Sequence, residues 1–150
     1  EKIADIYVRS KKNLVSVNCP SKLNSSAIDE FLIIFLVAAK AKGVSRFKDL
    51  GEMNKKESKR LDLGIKFLKL IGIKVDRYKN NINIYGNPDL FLSDNFEMKD
   101  FLKDHRIFFL SCIAALTLGG KWKINDKDAI NSSFPNFLNI LKNIGAEINW

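Results

Sequence analysis

Cysteine, histidine and proline are scarce in this 150-residue chain, which holds two, one and three of them respectively. Cys19 and Cys112 lie far apart in plain apolar surroundings, so they form neither a disulfide framework nor a CxxC metal pair. A reducing cytoplasm is the simplest setting. So few prolines, with no glycine period, exclude collagen-like and Pro-rich disordered classes. Long apolar runs are missing too. The longest, Phe31 to Ala39, is under half of the roughly 20 residues a bilayer crossing requires, so it reads as a buried helix and no membrane span is expected. Residues 1–10 read as a strand-like alternation without the basic, apolar and small-residue order of a signal peptide. The chain is therefore expected to begin inside a fold, as a piece cut from something larger.

What is present fits one globular unit: 46% hydrophobic and 28% charged residues, in a chain long enough for a real core. Lys and Arg number 25 against 17 Asp and Glu, a formal net charge of +8. That balance favours anionic partners without choosing among nucleic acid, acidic membranes and phosphorylated metabolites.

Hydrophobic spacing and stop signals predict the elements. Ser25 and Ser26 cap a helix over about 26–42, with Asp29 and Glu30 in its first turn and Gly43 as its stop. A β-type segment VSRFKD, a polar loop at 51–56 and a helix LDLGIKFLKLI before Gly72 follow. IKVDRY and NINIYG then flank a hairpin turn at Lys79-Asn80. The order repeats: RIFFLSCIAALTL is an apolar helix stopped by Gly119-Gly120, KWKIND is strand-like, and Ser132, Ser133 and Pro135 open a last helix, FPNFLNILKNI. LKLIGIKV and LKNIGAEI align with their glycines 73 residues apart, at Gly72 and Gly145. Two copies of a helix-strand-helix-strand unit are implied. Each holds one helix apolar on nearly every side, which must lie at the centre of a packed layer. The expectation is an α/β fold with central helices, outer helices and sheets.

Four constellations could carry chemistry, and each has a structural reading beside it. In Ile28-Asp29-Glu30, carboxylates in a first helical turn are favoured by the helix dipole. The run Lys55-Lys56-Glu57-Ser58-Lys59-Arg60 could be a solvated face. In Asp104-His105-Arg106 the lone histidine could be donor, base or a satisfied core group. Ser132-Ser133-Phe134-Pro135 reads as an ordinary helix start.

Taken in order, these runs resemble the 5-enolpyruvylshikimate-3-phosphate (EPSP) synthase family. The carrying segments are ADIYVRS (4–10), IDEF…VAAKAKG (28–43), KESKRL (56–61), DHRIFF (104–109), SFPNFL (133–138) and IGAEI (144–148), which cover nearly the whole chain. Each is short; their order and spacing make the combination specific. The resemblance implies two βαβαββ-type repeats of an inside-out α/β barrel, the C-terminal part of a C-terminal domain, with a break near 86–103. It also implies enolpyruvyl transfer from phosphoenolpyruvate to the 5-hydroxyl of shikimate 3-phosphate, with release of phosphate. No cofactor is implied, the N-terminal domain that completes the site is absent, and the parent is monomeric. Asp29, Lys56 and Glu57 match catalytic positions. Asp29 meets the target hydroxyl and Glu57 handles the methylene proton, while Lys56, Arg60 and Arg106 match groups that bind substrate, with Asp104 and His105 beside the second arginine. Guanidinium forks suit a phosphate and a carboxylate, and addition across an enol double bond needs two positioned acid/base groups.

The chain departs from the family at Asn54, in place of an arginine, and at Lys59, in place of an aspartate expected to pair with Arg60. Leu32 replaces a proline, and Phe108-Phe109 replaces alanine-methionine. Two other functions remain open at this point: a UDP-N-acetylglucosamine enolpyruvyl transferase relative, against which KESKR and DHR argue, and a basic nucleic-acid-binding module. The module is suggested by the net charge and by aromatics among lysines, as in YKNN and KWKI, but the lysines are dispersed and no RNP-like or helix-turn-helix pattern is present.

Overall fold

A computed structural model describes residues 5, 7, 9–11 and 13–149. The strand-like alternation expected at 1–10 therefore lies largely outside the described residues, as do Ala4, Ile6 and Val8 of ADIYVRS. The elements run α1 (Asn24–Ala27), α2 (Phe31–Lys40), β1 (Gly43–Phe47), α3 (Arg60–Leu70), β2 (Val75–Tyr78), β3 (Asn81–Gly86), β4 (Leu92–Met98), α4 (His105–Leu118), β5 (Gly119–Ile124) and α5 (Phe137–Asn143). Short 3₁₀ turns occupy Ser21–Leu23, Leu50–Lys55 and Lys127–Ile130.

β1, β3 and β2 form an antiparallel sheet in that order, and the hairpin turns at Lys79-Asn80 as expected, with Lys79 in the left-handed region at φ 51°. Ile82 and Ile84 alternate inward on β3, and Val75 of β2 faces Ile84 across the pair. β4 and β5 pair in parallel, with Phe96 opposite Trp122 and their rings stacked 4.7 Å apart. The two helices read as apolar on nearly every side, α2 and α4, do lie centrally. Phe31, Phe35 and Ala39 of α2 and Ile107, Leu110 and Ala114 of α4 are buried, and the two helices touch each other and α3. Gly64 lets α3 approach α2, since a Cβ there would meet Leu32 Cδ2 at 2.9 Å.

The repeat has a direct backbone signature. After α3, the N–H of Gly72 donates to Lys69 O and that of Ile73 to Leu68 O; after α5, Gly145 donates to Lys142 O and Ala146 to Leu141 O. Both glycines have positive φ, so the same left-handed helix stop recurs 73 residues later.

Four expectations change. The helix expected over 26–42 is broken at 28–30, where Glu30 N–H reaches back to Ala27 O; Asp29 therefore sits in a turn between α1 and α2 rather than in a helical first turn. The loop expected at 51–56 is mostly a 3₁₀ turn, because Leu50 and Met53, three apart, are both buried. Residues 92–98, which fall within the break expected near 86–103, form strand β4, whose pairing with β5 outweighs its polar composition. Ser132, Ser133 and Pro135 stand in turns between the last 3₁₀ turn and α5, which starts only at Phe137 and has no side-chain cap.

Candidate functional site

The starts of three elements meet at one end of the molecule. Asp29 lies two residues before α2, Lys56 to Ser58 form the bend leading into α3, and Arg60 is that helix's first residue. Asp104 caps α4 by accepting Arg106 N–H on Oδ1 at 2.9 Å, which leaves His105 and Arg106 in the first turn.

Arg60 is the hub. Its side chain is only 2% exposed, yet every nitrogen has a carboxylate partner: Nε donates to Asp104 Oδ2 at 2.9 Å, Nη1 to Asp29 Oδ1 at 2.7 Å and Nη2 to Glu57 Oε2 at 2.5 Å. Asp104 is fully buried and takes a further hydrogen bond on Oδ2 from Ser58 Oγ at 2.7 Å. Asp29, 40% exposed, is also approached by Lys56 Nζ at 3.4 Å and Arg106 Nη2 at 4.0 Å. Arg106 donates its Nη1 to Glu30 Oε1 at 3.0 Å.

The electrostatics follow from these contacts. Burial works to raise the Asp104 carboxyl, but hydrogen bonds from Ser58 and Arg60, the Arg60 charge and the Arg106 N–H outweigh it and hold the group below its ordinary value. At Asp29 desolvation is again the largest influence and again loses, here to Lys56, Arg106 and Arg60 together. Both are carboxylates near neutral pH. Arg106 and Lys56 are about one-third exposed, and Glu57 is 63% exposed, so the wall has a wet outer side and a dry inner one.

Asp29, Lys56, Glu57, Arg60, Asp104 and Arg106 thus come together from positions spread over the sequence. His105 stands beside them but outside the ion-pair network; its ring meets Phe109 edge-on at 5.9 Å and makes no hydrogen bond among the described residues. Ser132 is not brought to the wall by any contact found among the described residues. The aspartate replaced by Lys59 is not required to hold Arg60, which already has three carboxylate partners, and Lys59 is exposed. Two participants had been given no role: Glu30, the partner of Arg106, and Ser58, the partner of Asp104. Each stood inside a quoted motif, but only folded geometry supplies a partner 76 or 46 residues away. Among the described residues no group of three or more His, Cys, Asp or Glu is arranged to hold a metal ion, and no helix is long and apolar enough to cross a membrane.

Central helices flanked by sheets, with guanidinium, ammonium and carboxylate groups gathered at the starts of three elements, define an α/β fold with a charged wall at one end. A family model described as EPSP synthase (3-phosphoshikimate 1-carboxyvinyltransferase) matches residues 2–141, and the chain belongs to that family. It is 32% identical over 148 residues to the 3-phosphoshikimate 1-carboxyvinyltransferase of Paramagnetospirillum magneticum, covering 99% of this chain and 32% of the relative. Against the enzyme of the same name from Ruthia magnifica it is 35% identical over 153 residues, covering 99% and 33%. The fold is similar to EPSP synthase from Acinetobacter baumannii, with a TM-score of 0.77 and 28% identity over 87% of this chain and 30% of that one. The enolpyruvyl transferase NikO from Streptomyces tendae shares the fold at a TM-score of 0.56 and 16% identity, over 81% of this chain and 26% of that one. The chain spans about a third of the length of the curated relatives it matches.

Proposed function

We propose that this chain forms the C-terminal part of the C-terminal domain of a 3-phosphoshikimate 1-carboxyvinyltransferase, two repeats parted near 86–103, and contributes one wall of its active site. The observation that carries this reading is the convergence of Asp29, Glu57, Arg60 and Arg106 on one ion-pair network. The substrates are phosphoenolpyruvate and shikimate 3-phosphate. The opposite wall comes from the remainder of a monomeric enzyme of the relatives' length, so the chain alone is inactive. The cytoplasm suits two free cysteines, one of which, Cys112, has a thiol pushed up to about 12 by burial.

In this reading Arg106, Lys56 and the outer edge of Arg60 receive the phosphate and carboxylate of phosphoenolpyruvate, as bidentate forks and a point charge do. The 5-hydroxyl of shikimate 3-phosphate adds to the enol carbon, Asp29 accepting its proton and Glu57 delivering one to the methylene carbon. Glu57 then takes a proton back from the methyl group while the proton held by Asp29 passes to the departing phosphate, so the enol ether forms and both carboxyl groups return to their starting states. An arriving dianion also tunes the base. By engaging the cations that hold Asp29 low, it returns that carboxyl toward a more basic value. The net charge and the aromatics among lysines are all that carry the nucleic-acid reading, whereas the family match and the network support the transferase.

The test joins this chain to the remaining two-thirds of the Paramagnetospirillum relative and follows phosphate release. Asp29→Ala and Glu57→Ala should each lower the rate by about 10²-fold or more, the usual scale for a general acid or base. Undiminished turnover in both variants would remove the assignment.

A further inference from the structure

Arg60 has an inner edge and an outer edge, and they differ in permanence. On the outer edge Nη1 and Nη2 meet Asp29 and Glu57, which are 40% and 63% exposed and can exchange partners with water or an arriving anion. On the inner edge Nε carries a single hydrogen, and it goes to a carboxylate with no exposure at all. The Ser58 hydroxyl, in a residue only 4% exposed, has one proton to give and gives it to that same Oδ2 oxygen. The other oxygen of Asp104 holds the Arg106 backbone.

We propose that Ser58 and Asp104 form a buried clamp that fixes the guanidinium plane of Arg60 and ties it to the start of α4, making Ser58 a positioning residue for anion binding at Arg60 and Arg106. This rests on the reading that those arginines receive the anionic groups of the substrates. One carboxylate spans the starts of α3 and α4, so the spacing of the two arginines is set by hydrogen bonds shielded from water, where they are strongest. The outer carboxylates serve as exchangeable counterions. Without Ser58, Oδ2 keeps a single donor, and the Asp104 carboxylate is free to turn toward Arg60 and to loosen its hold on the α4 start.

The test uses the isotopically labelled chain, with inorganic phosphate as probe. The Arg60 Nε–H resonance, identified by its loss in Arg60→Lys, should be sharp and slowly exchanging; Ser58→Ala should broaden it, and Ser58→Thr, which keeps the hydroxyl, should restore it. Phosphate affinity, followed at the Arg106 side chain, should fall about 5- to 30-fold in Ser58→Ala and recover in Ser58→Thr. An unaltered Nε–H resonance in Ser58→Ala overturns the clamp. If phosphate still binds at Arg106 with unchanged affinity in Ser58→Ala, the positioning role alone falls. If phosphate moves no wall resonance in the unsubstituted chain, the anion-binding reading fails and the positioning role falls with it.

Discussion

A buried arginine with three carboxylates is stable only as a set. Desolvating one guanidinium is costly, and the three partners together offset that cost. Removing Arg60 leaves Asp104 charged with no exposed surface, so Arg60→Met should destabilise the chain by about 3–5 kcal/mol in urea unfolding. Ser58→Ala removes one donor to the same oxygen and should cost about 1–3 kcal/mol. The pH dependence follows from the carboxyls. Asp29, Asp62 and Asp104 all titrate below their ordinary value in the fold. A depressed folded pKa stabilises above the unfolded value and is lost as pH falls through the folded one. Stability should therefore hold from neutrality down to about pH 4 and fall steeply below it, since unfolded aspartate titrates near 3.9. Asp104→Asn should flatten that acid limb while lowering the plateau. A limb of equal slope in the variant would show that this carboxyl is not held low.

At the scale of elements, the departures from the family pattern explain one another around α3. Lys59 occupies the cap position with no capping side chain. Asn54 replaces it from the preceding turn, with Oδ1 accepting from Leu61 N–H at 3.0 Å and Asp62 N–H at 3.3 Å, and Nδ2 donating to Asp62 Oδ1 at 2.9 Å. Asn54→Ala should cost about 1 kcal/mol, the typical value of a cap. Lys59→Asp should do little alone yet recover most of that loss in the double variant, because both side chains compete for the same two N–H groups. Additive effects in thermal unfolding would contradict this. The same elements show what was legible. Helices α3 and α4, the 79–80 hairpin and the glycine stops 73 residues apart were readable because apolar spacing and glycine stops are local signals, whereas the strand expected to close the second helix-strand-helix-strand copy after α5 does not form among the described residues. Strand β4 was not, since LSDNFEM lacks alternation and becomes a strand only by pairing with β5. The break at Asp29 was hidden for a similar reason: no proline or glycine marks it, and the carboxylate is drawn instead to Arg60 and Lys56.

Over the whole molecule, the site was legible as a resemblance but not as a geometry. Motif order pointed to Asp29, Glu57, Arg60 and Arg106, while the partners Ser58 and Glu30, and the seclusion of His105 against Phe109, required the fold. The outer wall is exposed, so its charges are screened, and phosphate affinity should weaken as salt rises through about 0.1 M, where the Debye length is near 10 Å. The central claim is that scattered charges make one anion-holding surface. Its most direct measurement is a phosphoenolpyruvate titration of the labelled chain, read at the Arg60, Arg106 and Lys56 side chains. A single saturating curve shared by all three, and abolished by Arg106→Ala, is the predicted result. Independent, non-saturating shifts at those positions would contradict it.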